Sequence, residues 1–132
     1  MYLEHQLVSC KYISLGRKIP LHNKGESFRN WLHAEDTANS VIKIIEAGVK
    51  NKIYNVCGGF ERKNIDIVKK IAHYFQVEDI DNYLDFSYNR PGQDIRYALD
   101  DSKLRELGWK PIKSFDEELP KIVEYYKERF MW

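Results

Sequence analysis

Cysteine is scarce. Only Cys10 and Cys57 occur in the 132 residues, far apart and outside any C-x-x-C spacing. That pair builds neither a disulfide scaffold nor a zinc site, and is expected to stay reduced in a cytoplasmic setting. Long apolar runs are missing too, so nothing approaches the ~20 apolar residues of a bilayer span, and no membrane partner is expected. The first twenty residues carry Glu4, His5, Lys11, Arg17 and Lys18, which leaves no room for the apolar core of a signal peptide. Nor is there an excess of charge of one sign. Lys and Arg number 21 against 20 Asp and Glu, and both halves of the chain stay close to neutral, so no electrostatic footprint for nucleic acid exists.

The absences extend to chemistry. A dinucleotide loop needs a glycine array that lets backbone approach a pyrophosphate at a helix N-terminus. The seven glycines form no such array, and Gly58-Gly59 lacks a third glycine three residues on. None of the nine tyrosines is followed four positions later by lysine, so no phenol–ammonium pair shares a helix face. A serine nucleophile elbow is also missing. His5, His22, His33 and His73 are scattered without ligand spacing, and no metal site is expected. No catalytic residue can be named from these patterns.

What remains is a globular composition, 43% hydrophobic and 31% charged, in an order that mixes helix and strand. Residues 5–15 predict a short helix closed by Gly16. Ile19-Pro20-Leu21-His22 predicts a brief extended piece, because Pro20 pushes its predecessor out of the helical region. Asn23-Lys24-Gly25 predicts a turn, and residues 27–33 an extended aromatic stretch. Asp36 is the expected cap of a helix whose Ala38, Val41, Ile42 and Ile45 repeat as one buried face, ended by Gly48. Glu35-Asp36 reads either as an acid/base pair or as carboxylates stabilised by the helix macrodipole.

A strand is predicted over 52–57, and a second helix over 64–75 with Ile65, Val68, Ala72 and Phe75 on its buried face. Leu84, Phe86 and Tyr88, then Ile95, Tyr97 and Leu99, alternate with polar residues, the period of strands with one buried face. Asp101 is the expected cap of a short helix that Gly108 ends. A last helix sets Leu119, Ile122, Val123, Tyr126 and Phe130 on one face, with Pro120 expected in its first turn, since an interior proline costs about 3 kcal/mol. The sum is a mixed α/β or α+β domain over residues 1–132.

The loop Asn89-Arg90-Pro91-Gly92-Gln93-Asp94 is the strongest local candidate for a site. It presents a guanidinium, amides and a carboxylate on a stiff turn, and the arginine fork suits a diphosphate. Arg29, inside the aromatic stretch, is equipped for the same task. An equal alternative is structural, with Arg90 and Arg96 paired to Asp94 or Asp85.

Residues 19–41, 52–71 and especially 89–111 (NRPGQDIRYALDDSKLRELGWKP) resemble the C-terminal part of the nucleotide-sugar 4,6-dehydratases, extended short-chain dehydrogenase/reductases of the dTDP-glucose 4,6-dehydratase type. The closing residues 115–132 resemble that family's last helix and terminal aromatic. The resemblance implies a small substrate-binding lobe, a single partial domain lacking the N-terminal NAD-binding Rossmann domain. It implies that Ile19, Pro20 and Leu21 lie beside the nucleotide base, and that Arg29 and Asn55 hold the diphosphate. Asn89, Arg90, Pro91, Gly92 and Gln93 would close over the nucleotide, with Arg90 as phosphate ligand.

No cofactor is expected on this chain, NAD being implied for the complete family enzyme in deoxysugar biosynthesis. The implied partners are a nucleotide-diphosphate sugar and a separate Rossmann-domain chain, with an oligomer left open. Asn89, Asn30 and His22-Asn23 depart from the family's usual residues and Gln93 from the histidine of its bacterial thymidine-specific members, so dTDP and UDP both stand as the nucleotide. Alone, the chain is expected to be catalytically incomplete. A stand-alone, non-catalytic nucleotide-sugar-binding or regulatory module is the alternative, as is the same lobe of an epimerase or decarboxylase.

Overall fold

The computed structural model describes residues 3–129. Helix α1 (Leu3–Ser14) leads through Gly16, at φ +62°, into the short strand β1 (Ile19–Pro20). A 3-10 turn (His22–Gly25) follows, with Asn23 and Lys24 in the left-handed region, and then strand β2 (Phe28–Asn30). Helix α2 (Ala34–Ala47), strand β3 (Glu61–Lys63) and helix α3 (Asn64–Tyr74) come next. A second 3-10 turn (Ile80–Tyr83), strand β4 (Leu84–Asp85), helix α4 (Ser102–Glu106) and helix α5 (Phe115–Arg129) complete the order. The mixed helix-and-strand class expected from the sequence is the class found.

The core sits among three helices. Cys10 and Ile13 of α1, Val68, Ile71 and Ala72 of α3, and Leu119 and Val123 of α5 are all buried in one cluster. The parallel pair β1–β4, in register Ile19 to Leu84, adds Ile19, Leu21 and Leu84 to it. Antiparallel β2–β3 places Arg29 opposite Arg62 and Asn30 opposite Glu61. Gly25 is required where it is: at φ +77° a Cβ there would lie 2.8 Å from the Ile65 Cβ. The α3 face expected from the sequence is the buried one, with Ile65, Val68 and Ala72 9% exposed or less. Phe130, expected on the α5 face, lies outside the described residues.

Several expectations need correction. Helix α2 starts at Ala34, and His33 caps it, its Nδ1 accepting from the Glu35 N–H at 3.2 Å. Asp36 is no cap. It is 1% exposed, and its carboxylate accepts the backbone N–H groups of Ile112 at 2.9 Å and Lys113 at 3.0 Å. The helix thus turns Asp36 and Ser40 inward, while its apolar stripe faces out: Val41 and Ile42 are each 51% exposed and Ile45 78%. The buried carboxylate is satisfied by these two N–H donors, which is what lets it sit inside.

The strand expected over 52–57 makes no ladder, and its Ile53 is 83% exposed. Pairing along 84–88 stops at Asp85, and 95–99 retains a single bridge from Arg96 to Phe28. Phe86, Tyr88, Ile95, Tyr97 and Leu99 are exposed. In each case the period is that of an element with one apolar face, and no second layer covers that face among the described residues. Asp101 does not cap α4 through its side chain; Asp100 Oδ1 instead accepts the Ser102 N–H at 2.9 Å. Gly108 does end α4, at φ +86°. Pro120 lies in the second turn of α5, because that helix begins at Phe115. No helix among the described residues is long and apolar enough to cross a membrane.

Candidate functional site

The segment from Asp94 to Asp101 forms a strap across β2 and the 55–58 stretch, and donors on both sides pin its backbone. The Phe28 N–H donates to the Ile95 carbonyl at 2.7 Å. Asn30 Nδ2 donates to the Tyr97 carbonyl at 3.2 Å, the Cys57 thiol to the Leu99 carbonyl at 3.2 Å, and Asn55 Nδ2 to the Asp100 carbonyl at 3.0 Å. Arg96 closes a two-bond pair with Glu61 on β3, both contacts at 2.8 Å. The Arg96 guanidinium holds the Glu61 carboxyl below its ordinary range. Arg96 is therefore committed to Glu61, not to the Asp94 or Asp85 considered from sequence, and Asp85 instead accepts from Ser87.

Arg29 stands where strand, strap and loop meet. Its Nη1 donates to the Phe28 carbonyl at 2.6 Å and its Nη2 to the Asp94 carbonyl at 3.2 Å. The guanidinium carbon lies 4.5 Å from the centroid of the Tyr97 ring. Arginine carries five N–H donors, so three remain for a ligand. The loop beside it is open: Asn89, Arg90, Pro91 and Gly92 are exposed. It is shaped by Gly92 at φ +76° and by the Gln93 N–H donating to the Arg90 carbonyl at 3.3 Å. No ion pair among the described residues involves Arg90. Gln93 Oε1 and His22 Nδ1 are enclosed without a hydrogen-bond partner, and the His22 ring packs edge-on to Tyr88 at 6.2 Å.

The sequence candidates are thus distributed unequally. Arg29 is joined to the end of the 89–94 loop through Asp94. Asn55 is exposed and hydrogen-bonded to the far end of the strap, with no hydrogen bond joining it to Arg29. Ile19 and Leu21 are buried in the core, leaving half-buried Pro20 as the accessible side chain of that extended piece. Tyr97, which stacks on Arg29, is not among the residues that the sequence points to. Its period-2 setting marks it only as a strand residue, and nothing in the residue order joins position 97 to position 29.

At the other end of the strap, Asp101 meets Gly58. Burial raises the Asp101 pKa, but bonds from Arg105 and the Gly58 N–H outweigh it and hold the carboxyl below its usual range. The Gly58 N–H reaches Asp101 Oδ2 at 3.1 Å. A pyrophosphate loop needs such an N–H free and a helix starting behind it; here a carboxylate occupies it and β3 follows Phe60. These residues do not fit NAD. Elsewhere, a cavity of about 470 Å³ is lined by Trp31, His33, Phe60, Phe115, Leu119 and Ile122 among others, and by none of the sequence candidates. Among the described residues no cluster of His, Cys, Asp or Glu could hold a metal ion.

Comparison with known proteins follows the same residues. A sequence model of the GDP-mannose 4,6 dehydratase family matches residues 7–122. A dTDP-glucose 4,6-dehydratase of Escherichia coli is 34% identical over 127 residues, covering 89% of this chain and 35% of the relative. The trifunctional UDP-glucose 4,6-dehydratase/UDP-4-keto-6-deoxy-D-glucose 3,5-epimerase/UDP-4-keto-L-rhamnose-reductase of Arabidopsis thaliana is 36% identical, covering 89% of this chain and 18% of that protein. Among solved structures, the dTDP-glucose 4,6-dehydratase DesIV of Streptomyces venezuelae, with NAD and TYD bound, superposes with a TM-score of 0.84 at 28% identity. That match covers 92% of this chain and 37% of DesIV. The chain spans about a third of the length of the dTDP-glucose dehydratases it matches.

Proposed function

Because the chain belongs to the GDP-mannose 4,6 dehydratase family, we propose that it is the part of a nucleotide-sugar 4,6-dehydratase that holds the nucleotide diphosphate, acting in the cytoplasm in deoxysugar formation. The observation that carries this reading is Arg29, a strand arginine tied to the open 89–94 loop through Asp94 with donors to spare. Arg90 on that loop supplies a second guanidinium. Two such groups suit a diphosphate, since each planar fork can donate paired hydrogen bonds to phosphate oxygens. Half-buried Pro20, in the extended piece, would give an apolar edge for a base, and Asn55 a polar contact at the far end of the strap.

The reaction of the family, a redox-assisted loss of water from the sugar, needs NAD and acid/base groups that this set of residues does not provide. Chemistry is assigned to a Rossmann-type unit that covers the outward stripe of α2, in the same or a separate polypeptide. Within this chain the task is binding and orientation: the strap fixes Arg29, and the loop brings Arg90 over the ligand.

Both dTDP and UDP remain candidates for the nucleotide. The Arabidopsis relative is named for UDP-glucose and the bacterial ones for dTDP-glucose. An amide NMR titration of the chain with dTDP and UDP tests the reading. Saturable shifts at Arg29, Asn55 and the 89–93 loop are expected, and the tighter ligand names the base. A well-dispersed spectrum unmoved by either at millimolar concentration would sink it.

A further inference from the structure

We propose that Tyr97 is a positioning residue for Arg29: its ring holds the guanidinium in the orientation that meets a diphosphate. The proposal rests on reading this site as a nucleotide-diphosphate site. Its own support is geometric.

A lone arginine on an exposed strand has many rotamers, and a phosphate ligand gains from finding the fork already oriented. Three contacts restrict Arg29. Two are hydrogen bonds from its edge to the Phe28 and Asp94 carbonyls. The third is the face-on approach to Tyr97, with the guanidinium carbon 4.5 Å from the ring centroid, inside the range at which the ring quadrupole attracts a cation. The hydrogen bonds fix where the edge points; the ring fixes the plane.

The ring itself is held from behind. The Tyr97 carbonyl accepts from Asn30, a residue 6% exposed, and the neighbouring Arg96 is clamped to Glu61. Tyr97 is nonetheless 48% exposed, so the side chain is not anchored in the core. Its position is set by the strap's backbone, and the surface it offers is spent on Arg29. Asp94 and Tyr97 lie on the same strap, so one segment supplies both an edge contact and the face contact to the arginine.

The test compares nucleoside diphosphates with nucleosides by titration calorimetry on the whole chain. Tyr97→Leu is expected to weaken UDP and dTDP binding about threefold to fivefold, the loss of an exposed cation–π contact. Uridine and thymidine affinities should not change. Tyr97→Phe keeps the ring and should restore diphosphate affinity to within about twofold. In an Arg29→Ala background, Tyr97→Leu should add nothing. Fluorinated phenylalanines at position 97 preserve shape while draining the ring's negative face, and affinity should fall stepwise with fluorine number.

A Tyr97→Leu chain that binds diphosphate like the wild type overturns the proposal. So does a loss shared by the nucleosides, a loss persisting without Arg29, or indifference to fluorination. Wild-type chain that binds no nucleotide sinks the site reading and this role together, whereas wild-type binding with an indifferent Tyr97 sinks this role alone.

Discussion

Helices α2 and α3 carry the same apolar spacing and meet opposite fates. On α3, Ile65, Val68 and Ala72 are buried against α1 and α5. On α2, Val41, Ile42 and Ile45 point outward, while Asp36 and Ser40 are inside. The 3.6-residue period therefore specifies a helix with one apolar face, but not what lies against that face. The molecule divides along this line. One region, around α1, α3 and α5, has a core of its own; the other, built of α2, the 49–57 stretch and the strap, displays apolar residues that a second layer would cover.

The sharpest way to break the division is to truncate the core. Ile71 has no exposed surface, so Ile71→Ala removes buried methyl groups and leaves a cavity, and is expected to cost about 2–5 kcal/mol. Urea unfolding measures it. A loss under 0.5 kcal/mol would mean that the three helices do not form the core.

Asp36 stitches the two regions together. Asp36→Ala removes the buried carboxylate that accepts from the Ile112 and Lys113 N–H groups and should destabilise by roughly 3 kcal/mol, since bonds to a charged acceptor count for more than neutral ones. Asp36→Asn keeps one carbonyl acceptor and is expected to fall between that variant and wild type. Equal stability of Asp36→Ala and wild type in the same urea titration would show that the 111–113 segment finds other acceptors.

The two cysteines give a third contrast. Burial pushes the Cys10 thiol up from 9.0 to about 12, and raises Cys57 in the same direction. Below pH 9 both native and unfolded states hold the Cys10 proton, so its contribution to stability is constant. Above pH 9 the unfolded chain releases a proton that the native core retains, and stability should fall by about 1.4 kcal/mol per pH unit on account of Cys10. Between pH 9 and 10 the Cys10→Ala chain should lose stability less steeply than wild type; identical slopes would place Cys10 in contact with water.

Much of this was legible beforehand, for local reasons. Gly16 and Gly108 end helices because each adopts positive φ, and the α3 face follows from its own residues. The 89–94 loop and Arg29 stand as site candidates on the same local ground, since their side chains are of the kind that bind phosphate. What was hidden is non-local. That Asp36 would accept from residues more than seventy positions later, that Arg96 would choose Glu61, and that Tyr97 would stack on Arg29 all depend on which segments the fold brings together. The 52–57 stretch, which makes no ladder, and 95–99, which keeps one bridge, fall short of strands for a related reason: a period states that a face is apolar, while a ladder needs a partner.

The smallest effect on stability carries the most information about the exposed region. Ile45→Ser on α2 removes an apolar side chain that is already 78% in water, so the unfolding free energy should change by less than about 0.5 kcal/mol. The same change should matter once a second layer is present. If a Rossmann-type unit covers α2, mixing the chain with such a domain should give a complex that Ile45→Ser weakens and that Ile71→Val, a conservative change in the core, leaves intact. Sedimentation velocity of the two mixtures separates these outcomes. A complex indifferent to Ile45 would move the second layer elsewhere and leave the stripe of α2 as exposed surface; a chain destabilised by Ile45→Ser on its own would mean that the stripe is already packed, and the contrast between α2 and α3 would be lost.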